Sequence, residues 1–190
     1  MGNGTAVPHT LSSVALWRQL DRPFELATAL NLLGADLTDT HEYAAANQAL
    51  RECRDIYQSL GYQRGVALAN YNLGEIAYKL GKLASARELL CKSLRMRHHL
   101  GLRRGYAYSF ELLAHINESN GRYEPAVQLW AAAETLRNRL GTPLEQAARQ
   151  GSEDTLTRLR DRLGNVAFEI AFAKGATMPT EQAIALALSG

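Results

Sequence analysis

The side chains able to do covalent or metal chemistry are few in this chain and badly spaced for it. Cys53 and Cys91 are its two cysteines, too few for a disulfide framework and in neither a Cys-x-x-Cys nor a zinc-finger spacing. Their expected state is buried and reduced. Of the histidines, His98 and His99 lie beside Arg97, Arg103 and Arg104, a setting that repels a metal cation. His41 falls in an inter-helix turn and His9 near the start. Gly81-Lys82 lacks the earlier glycine and the strand of a phosphate-binding loop. No Gly-x-Ser-x-Gly, His-Glu-x-x-His or EF-hand pattern occurs. The reading is therefore no catalytic residue, no metal, no cofactor and no enzyme.

One charge run stands out: Lys92, Arg95, Arg97, His98, His99, Arg103 and Arg104. Cations near a helix C-terminus gain roughly 0.3–1 kcal/mol each from the helix dipole, and these project from several faces. A solvated turn is the expected reading, with an acidic partner surface or nucleic acid as the alternatives. A net charge of +2 over 190 residues argues against nucleic acid or a membrane surface as the partner of the whole chain. No apolar run approaches the ~20 residues of a membrane span. The opening residues have no basic start and no apolar run, so they do not read as a signal peptide, and Ala6 breaks the myristoylation pattern. A cytoplasmic location is expected.

What remains is recognition, and the elements that would support it repeat. Leu60-Gly61, Leu100-Gly101 and Leu140-Gly141 recur every 40 residues. Leu33-Gly34, Leu73-Gly74 and Leu113-Ala114 keep the same interval, as do Ala46 with Leu50, Ala86 with Leu90 and Ala126 with Trp130. Periods of this size mark solenoids of stacked supersecondary units. In the clearest unit, Val66, Ala69, Leu73, Ile76, Ala77 and Leu80 give one helix an apolar face. Leu83, Ala86, Leu90 and Leu94 give a second, closed by Gly101 in a left-handed cap. The small residues at 34, 74 and 114, and at 46, 86 and 126, let paired helices approach.

These residues resemble the tetratricopeptide repeat pattern, Leu-Gly in the first helix and Ala-x-x-x-large in the second, in a long 40-residue variety. The resemblance implies an all-α, right-handed superhelical solenoid of antiparallel helix hairpins. Its expected parts are a flexible start over 1–9, and a partial repeat (second helix only) or N-terminal cap over 10–20. Three repeats over 21–141 and a helical C-terminal cap over 142–190 follow. Within the cap, a helix from Pro143, a short helix over 166–173, a turn at Gly175 and a last helix near Thr180 are expected. The array begins in mid-unit, which reads as a piece of a longer protein or as a capping helix.

The tail, Leu163-Gly164 … Phe168 … Ala171 … Gly175 … Glu181 … Ala183 … Ala187-Leu188, is similar to the ending of large bacterial regulators. Those join a STAND or NB-ARC-like ATPase to a tetratricopeptide array, in LuxR-type or SARP-type transcription regulators. The implied role is a sensor or docking part, with an N-terminal ATPase domain of the same parent as one partner. A free-standing adaptor, dimeric through an N-terminal edge at Val14, Leu16 and Trp17, is the alternative.

By the same resemblance the first helix of each unit lines a concave, peptide-binding face. That implies Thr28, Asn31, Leu32, Ala35 and Thr38, then Leu68, Tyr71, Asn72, Glu75 and Tyr78, then Tyr108, Glu111, Leu112, His115 and Glu118. The chief candidates are Asn31, Leu68, Tyr71, Asn72, Glu75, Tyr78, Tyr108, Glu111 and His115. The tyrosines offer apolar area with a polar tip, and Asn72 a donor and an acceptor for a peptide backbone. The clamp for a C-terminal carboxylate in similar arrays takes Lys and Asn, then Asn, then Lys and Arg. Asn72 matches the middle position, but Asn31, Ala35, Tyr108 and Leu112 occupy the others, so the cations are missing. The acidic Glu75, Glu111 and Glu118 favour a neutral or basic ligand instead.

Overall fold

The computed structural model describes residues 6–144 and 146–189. Among them every regular element is helical, in agreement with the all-α class and the helical-hairpin organisation expected. In chain order these are α1 (Ala6–Gln19), α2 (Pro23–Asp39), α3 (Tyr43–Ser59), α4 (Gln63–Lys79) and α5 (Leu83–His99). A 3-10 turn (Arg103–Gly105) leads to α6 (Tyr106–Ser119), α7 (Tyr123–Leu140), α8 (Gln146–Leu163), α9 (Asn165–Thr177) and α10 (Thr180–Leu188). None of the described helices is long and apolar enough to cross a membrane.

One backbone corner organises the first seven helices. Residues with positive φ recur every 20 positions: Asp21, His41, Gly61, Gly81, Gly101, Gly121 and Gly141. At each, the next residue's N–H donates to the carbonyl five positions back. Examples are Glu42 to Leu37 at 2.8 Å, Tyr62 to Tyr57 at 2.9 Å, Lys82 to Ala77 at 2.8 Å and Arg122 to Asn117 at 2.8 Å. This is the Schellman closure, which satisfies carbonyls that a helix end leaves unpaired. The 40-residue sequence period is thus two helix-and-corner steps. A Cβ at Gly61, Gly81, Gly101, Gly121 or Gly141 would meet nothing within 4 Å, so the sign of φ alone calls for glycine there.

The chain divides into two compact units, residues 1–96 and 97–190. In the first, α2 with α3 and α4 with α5 form hairpins around Leu30, Leu33, Leu50, Leu73 and Ile76, all buried. A Cβ on Gly34 would run into the Leu50 side chain, and one on Gly74 would sit 2.9 Å from Leu90 Cγ. Ala46 and Ala86 are fully buried opposite. Ser93 Oγ donates to the Ala67 carbonyl at 2.7 Å, tying α5 to α4. Both cysteines are free and buried; burial pushes the Cys53 thiol up to about 12 and raises Cys91 as well.

The expected loose start is helical from Ala6 onward, and residues 1–5 lie outside the described ones. Pro8 is tolerated because it sits in the first turn, where its missing N–H has no intrahelical partner to lose. The expected edge also changes character. Val14 is 6% exposed and Trp17 packs partly buried against the same core, so both hold α1 to its neighbours. Leu16 remains open at 49%, with Leu11 and Leu20.

In the second unit, Ala114 and Ala126 are fully buried between α6 and α7. The helix expected from Pro143 begins at Gln146. Gly175, expected in a turn, lies buried inside α9, because a Cβ there would collide with the Gln128 backbone of α7. Close approach, not chain reversal, is what requires it. Thr155 and Leu159 are the buried anchors of α8; Gly164 at φ 77° turns the chain into α9. Within the basic run, Arg97 is not solvated: it is 7% exposed and its Nη1 donates to the Gly105 carbonyl at 2.7 Å. The rest of that run is exposed.

Replacing Gly101 by alanine is expected to lower stability by about 1–2 kcal/mol, the cost of a left-handed residue with a Cβ, in urea denaturation. His41→Gly should raise stability. Gly175→Ala is expected to cost about 1–3 kcal/mol, since backbone cannot yield as a side chain would.

Candidate functional site

Helices α2 and α4 are successive first helices of the first unit, and each presents its 3- and 4-spaced positions beside the other. Leu32 (54% exposed) and Leu68 (38%) lie open on these helices, while Asn31, Tyr71, Asn72, Glu75 and Tyr78 are half-buried. Asn72 Nδ2 donates to Asn31 Oδ1 at 2.9 Å, which fixes the register of α4 against α2. Burial pushes the Glu75 carboxyl above the usual carboxylate range; Lys79 opposes the rise and Asp39 adds to it. The structure therefore brings Asn31, Leu68, Tyr71, Asn72, Glu75 and Tyr78 onto two neighbouring helices.

An aromatic cluster at the start of α2 and α4 escaped the sequence reading. Phe24 lies 5.2 Å from Tyr62 and 6.0 Å from Tyr57, ring centre to ring centre, and Tyr57 lies 5.2 Å from Tyr62. Phe24 is 46% exposed and Tyr62 36%. The Thr28 hydroxyl lies 3.1 Å from the Tyr57 hydroxyl. Phe24, Thr28 and Leu32 follow at intervals of four, so the cluster continues the same stripe of α2. These aromatics do not keep the 40-residue register, so repeat arithmetic passes over them.

The second unit treats its candidates differently. Glu111 accepts two hydrogen bonds from Arg137, Nε to Oε1 and Nη2 to Oε2, both 2.7 Å. The Arg137 side chain is 5% exposed and that of Glu111 14%. The guanidinium also lies 4.2 Å from the Tyr108 ring centre, and the Glu111 carboxylate holds the Arg137 charge firmly in place. Glu118 is taken by Arg158 of α8, at 3.1 Å and 3.4 Å. The His115 ring stands edge-on to Trp130 at 5.2 Å. Glu111 and Glu118, expected to face a ligand, are thus engaged by the chain's own arginines. Sequence spacing could not show this, because Arg137 and Arg158 lie outside the first-helix register. Among the described residues no group of three or more His, Cys, Asp and Glu is placed to hold a metal.

Residues 25–99 match the tetratricopeptide repeat family. They form a tetratricopeptide repeat array. The array holds both helices of the α2–α4 face, and repeats of this kind generally serve protein interaction without catalysis. The chain is also similar to proteins that carry the name HTH-type transcriptional regulator, in Mycobacterium bovis and in two strains of Mycobacterium tuberculosis. Identity is 28% over 165 residues, 87% of this chain. The match covers 18% of each relative's length, so the chain corresponds to a small part of those proteins.

Removing one partner of the Arg137–Glu111 pair leaves a buried unpaired charge. Arg137→Ala is expected to cost about 3–5 kcal/mol in thermal or urea unfolding, and Arg137→Lys should restore only part, having no planar fork. Because the folded-state pKa of Glu75 is raised, its ionised form costs stability above that pKa, and the cost is relieved as pH falls through it. Glu75→Gln should therefore be more stable than the native chain at pH 7. The difference should fade as pH approaches the usual carboxylate range, measured by unfolding at several pH values.

Proposed function

We propose that the α2–α4 face of the tetratricopeptide array binds an extended segment of a partner protein bearing apolar side chains and a basic one. The observation that carries this reading is the sequence of surfaces along the two helices. Exposed Phe24 and Tyr62 begin it, exposed Leu32 and Leu68 follow beside the Asn31–Asn72 pair, and Glu75 lies further along, raised by burial that Lys79 only partly opposes. Large apolar side chains grouped in the open are anchors for a ligand's own apolar groups. A carboxylate raised by burial gains most from an incoming cation, which returns it to the charged form. Tyr71 and Tyr78 supply broad contact at low ordering cost.

The wider role we infer is the sensor or partner-docking part of a larger bacterial signalling or transcription regulator acting in the cytoplasm. The likeness to the mycobacterial HTH-type regulators supports that setting, as does the resemblance of the tail to the ends of STAND-type and LuxR-type regulators. A ligand would act by preferring one of two arrangements of such a parent, since only differential affinity shifts an equilibrium. A second reading, self-association through α1, draws on the exposed Leu11, Leu16 and Leu20; Leu16→Ser with Leu20→Ser should then abolish a dimer in sedimentation.

The direct test is selection of peptides from a random-sequence library on the purified chain. Selected peptides should carry an apolar residue and a Lys or Arg. Leu32→Ala with Leu68→Ala should weaken them about tenfold, as for the loss of a central interface contact. Glu75→Gln should weaken basic peptides selectively. Selected peptides that are acidic, or that bind these variants unchanged, would contradict the proposal.

A further inference from the structure

A cavity of about 370 Å³ lies in the second unit, walled by α6, α7, Pro143, Leu144 and α8. That volume falls in the range of small-molecule sites, roughly 300–1,000 Å³. Trp130 of α7, Leu144 and Leu156 of α8 give it an apolar wall, and Glu134 of α7 and Glu153 of α8 add carboxylates. Glu134 and Glu153 are both exposed, so they are open to a solute. The Arg137 and Glu111 charges in the wall neutralise each other through their two short hydrogen bonds. Arg149, the other cation of the lining, has its Nε committed to the Leu144 carbonyl at 2.9 Å. Among the described lining residues, the charge that a ligand meets is therefore set by Glu134 and Glu153 against Arg149.

We propose that this cavity binds a small organic ammonium ion with an apolar body, the body against Trp130, Leu144 and Leu156 and the cation between Glu134 and Glu153. An aromatic wall suits the apolar body of such a ligand. The carboxylates supply charge-assisted hydrogen bonds, and a carboxylate ligand of the same shape meets repulsion instead. The site lies in a different unit from the α2–α4 face, and the proposal stands independently of peptide binding.

Trp17 and Trp130 are the two tryptophans, so a Trp17→Phe chain reports the cavity wall through Trp130 fluorescence. Phenethylamine is expected to change that emission saturably, and phenylacetate, the same body with the opposite charge, to leave it unchanged at equal concentration. Glu134→Gln with Glu153→Gln should weaken phenethylamine at least tenfold. Both residues are exposed, so far-ultraviolet circular dichroism should be unaltered. Calorimetric titration of the native chain should give the same affinity. No saturable response to phenethylamine, equal binding of phenylacetate, or unchanged affinity in the double variant would each overturn the assignment.

Discussion

The left-handed corner that returns every 20 residues is the constraint on which the rest depends. It fixes helix length, since α2, α3, α4 and α5 each span 17 residues and leave just enough chain for the turn. Equal helix lengths keep equivalent residues of successive hairpins at equivalent heights, so that Gly34 and Gly74 each receive one leucine, and Asn72, one position past the equivalent of Asn31, comes within hydrogen-bond reach of it. Glycine occupies five of the seven corners, whereas Asp21 and His41 carry a Cβ at positive φ. Such residues persist where surrounding packing over-determines the backbone, and here the buried faces of the flanking helices do so.

Once the helices are in register, each unit solves a different electrostatic problem. In the first, burial raises Glu75 and the neighbouring Lys79 only partly offsets that rise. In the second, Glu111 and Glu118 are supplied with cations from within, Arg137 from α7 and Arg158 from α8. The bidentate Arg137–Glu111 pair is largely withdrawn from water, and its guanidinium also lies against the Tyr108 ring, so it acts as a structural clasp. Equivalent positions of a repeat can therefore differ in role: Tyr71 and Tyr78 stay half-buried on their face, while Glu111 and Glu118, at the same phase one repeat on, are held by arginines. The exchange takes only an arginine at the right height of the neighbouring helix.

Much of the fold was legible in the sequence because its determinants are local. The Leu-Gly and Ala-x-x-x-large spacings mark the contact points of a hairpin, and Gly34, Gly74, Ala46 and Ala86 sit where those spacings put them. Gly175 was misread because a glycine that permits close approach and one that permits a turn look identical in one dimension. The burial of Arg97, Val14 and Trp17 was hidden likewise, since it depends on which neighbour arrives. For the candidate site, the α2 and α4 positions followed from register. The Phe24–Tyr57–Tyr62 cluster and the arginine partners of Glu111 and Glu118 required three dimensions, because each joins residues that share no repeat phase.

The central claim is that recognition belongs to the α2–α4 face. Its most direct test is a nuclear magnetic resonance titration of the isotope-labelled chain with a selected apolar–basic peptide. The account predicts shift changes concentrated on Phe24, Thr28, Leu32, Leu68, Tyr71, Asn72 and Glu75, with little change at Glu111, Arg137 or Glu118. Changes centred on α6 and α8, or on the α3 and α5 surfaces away from these residues, would contradict it.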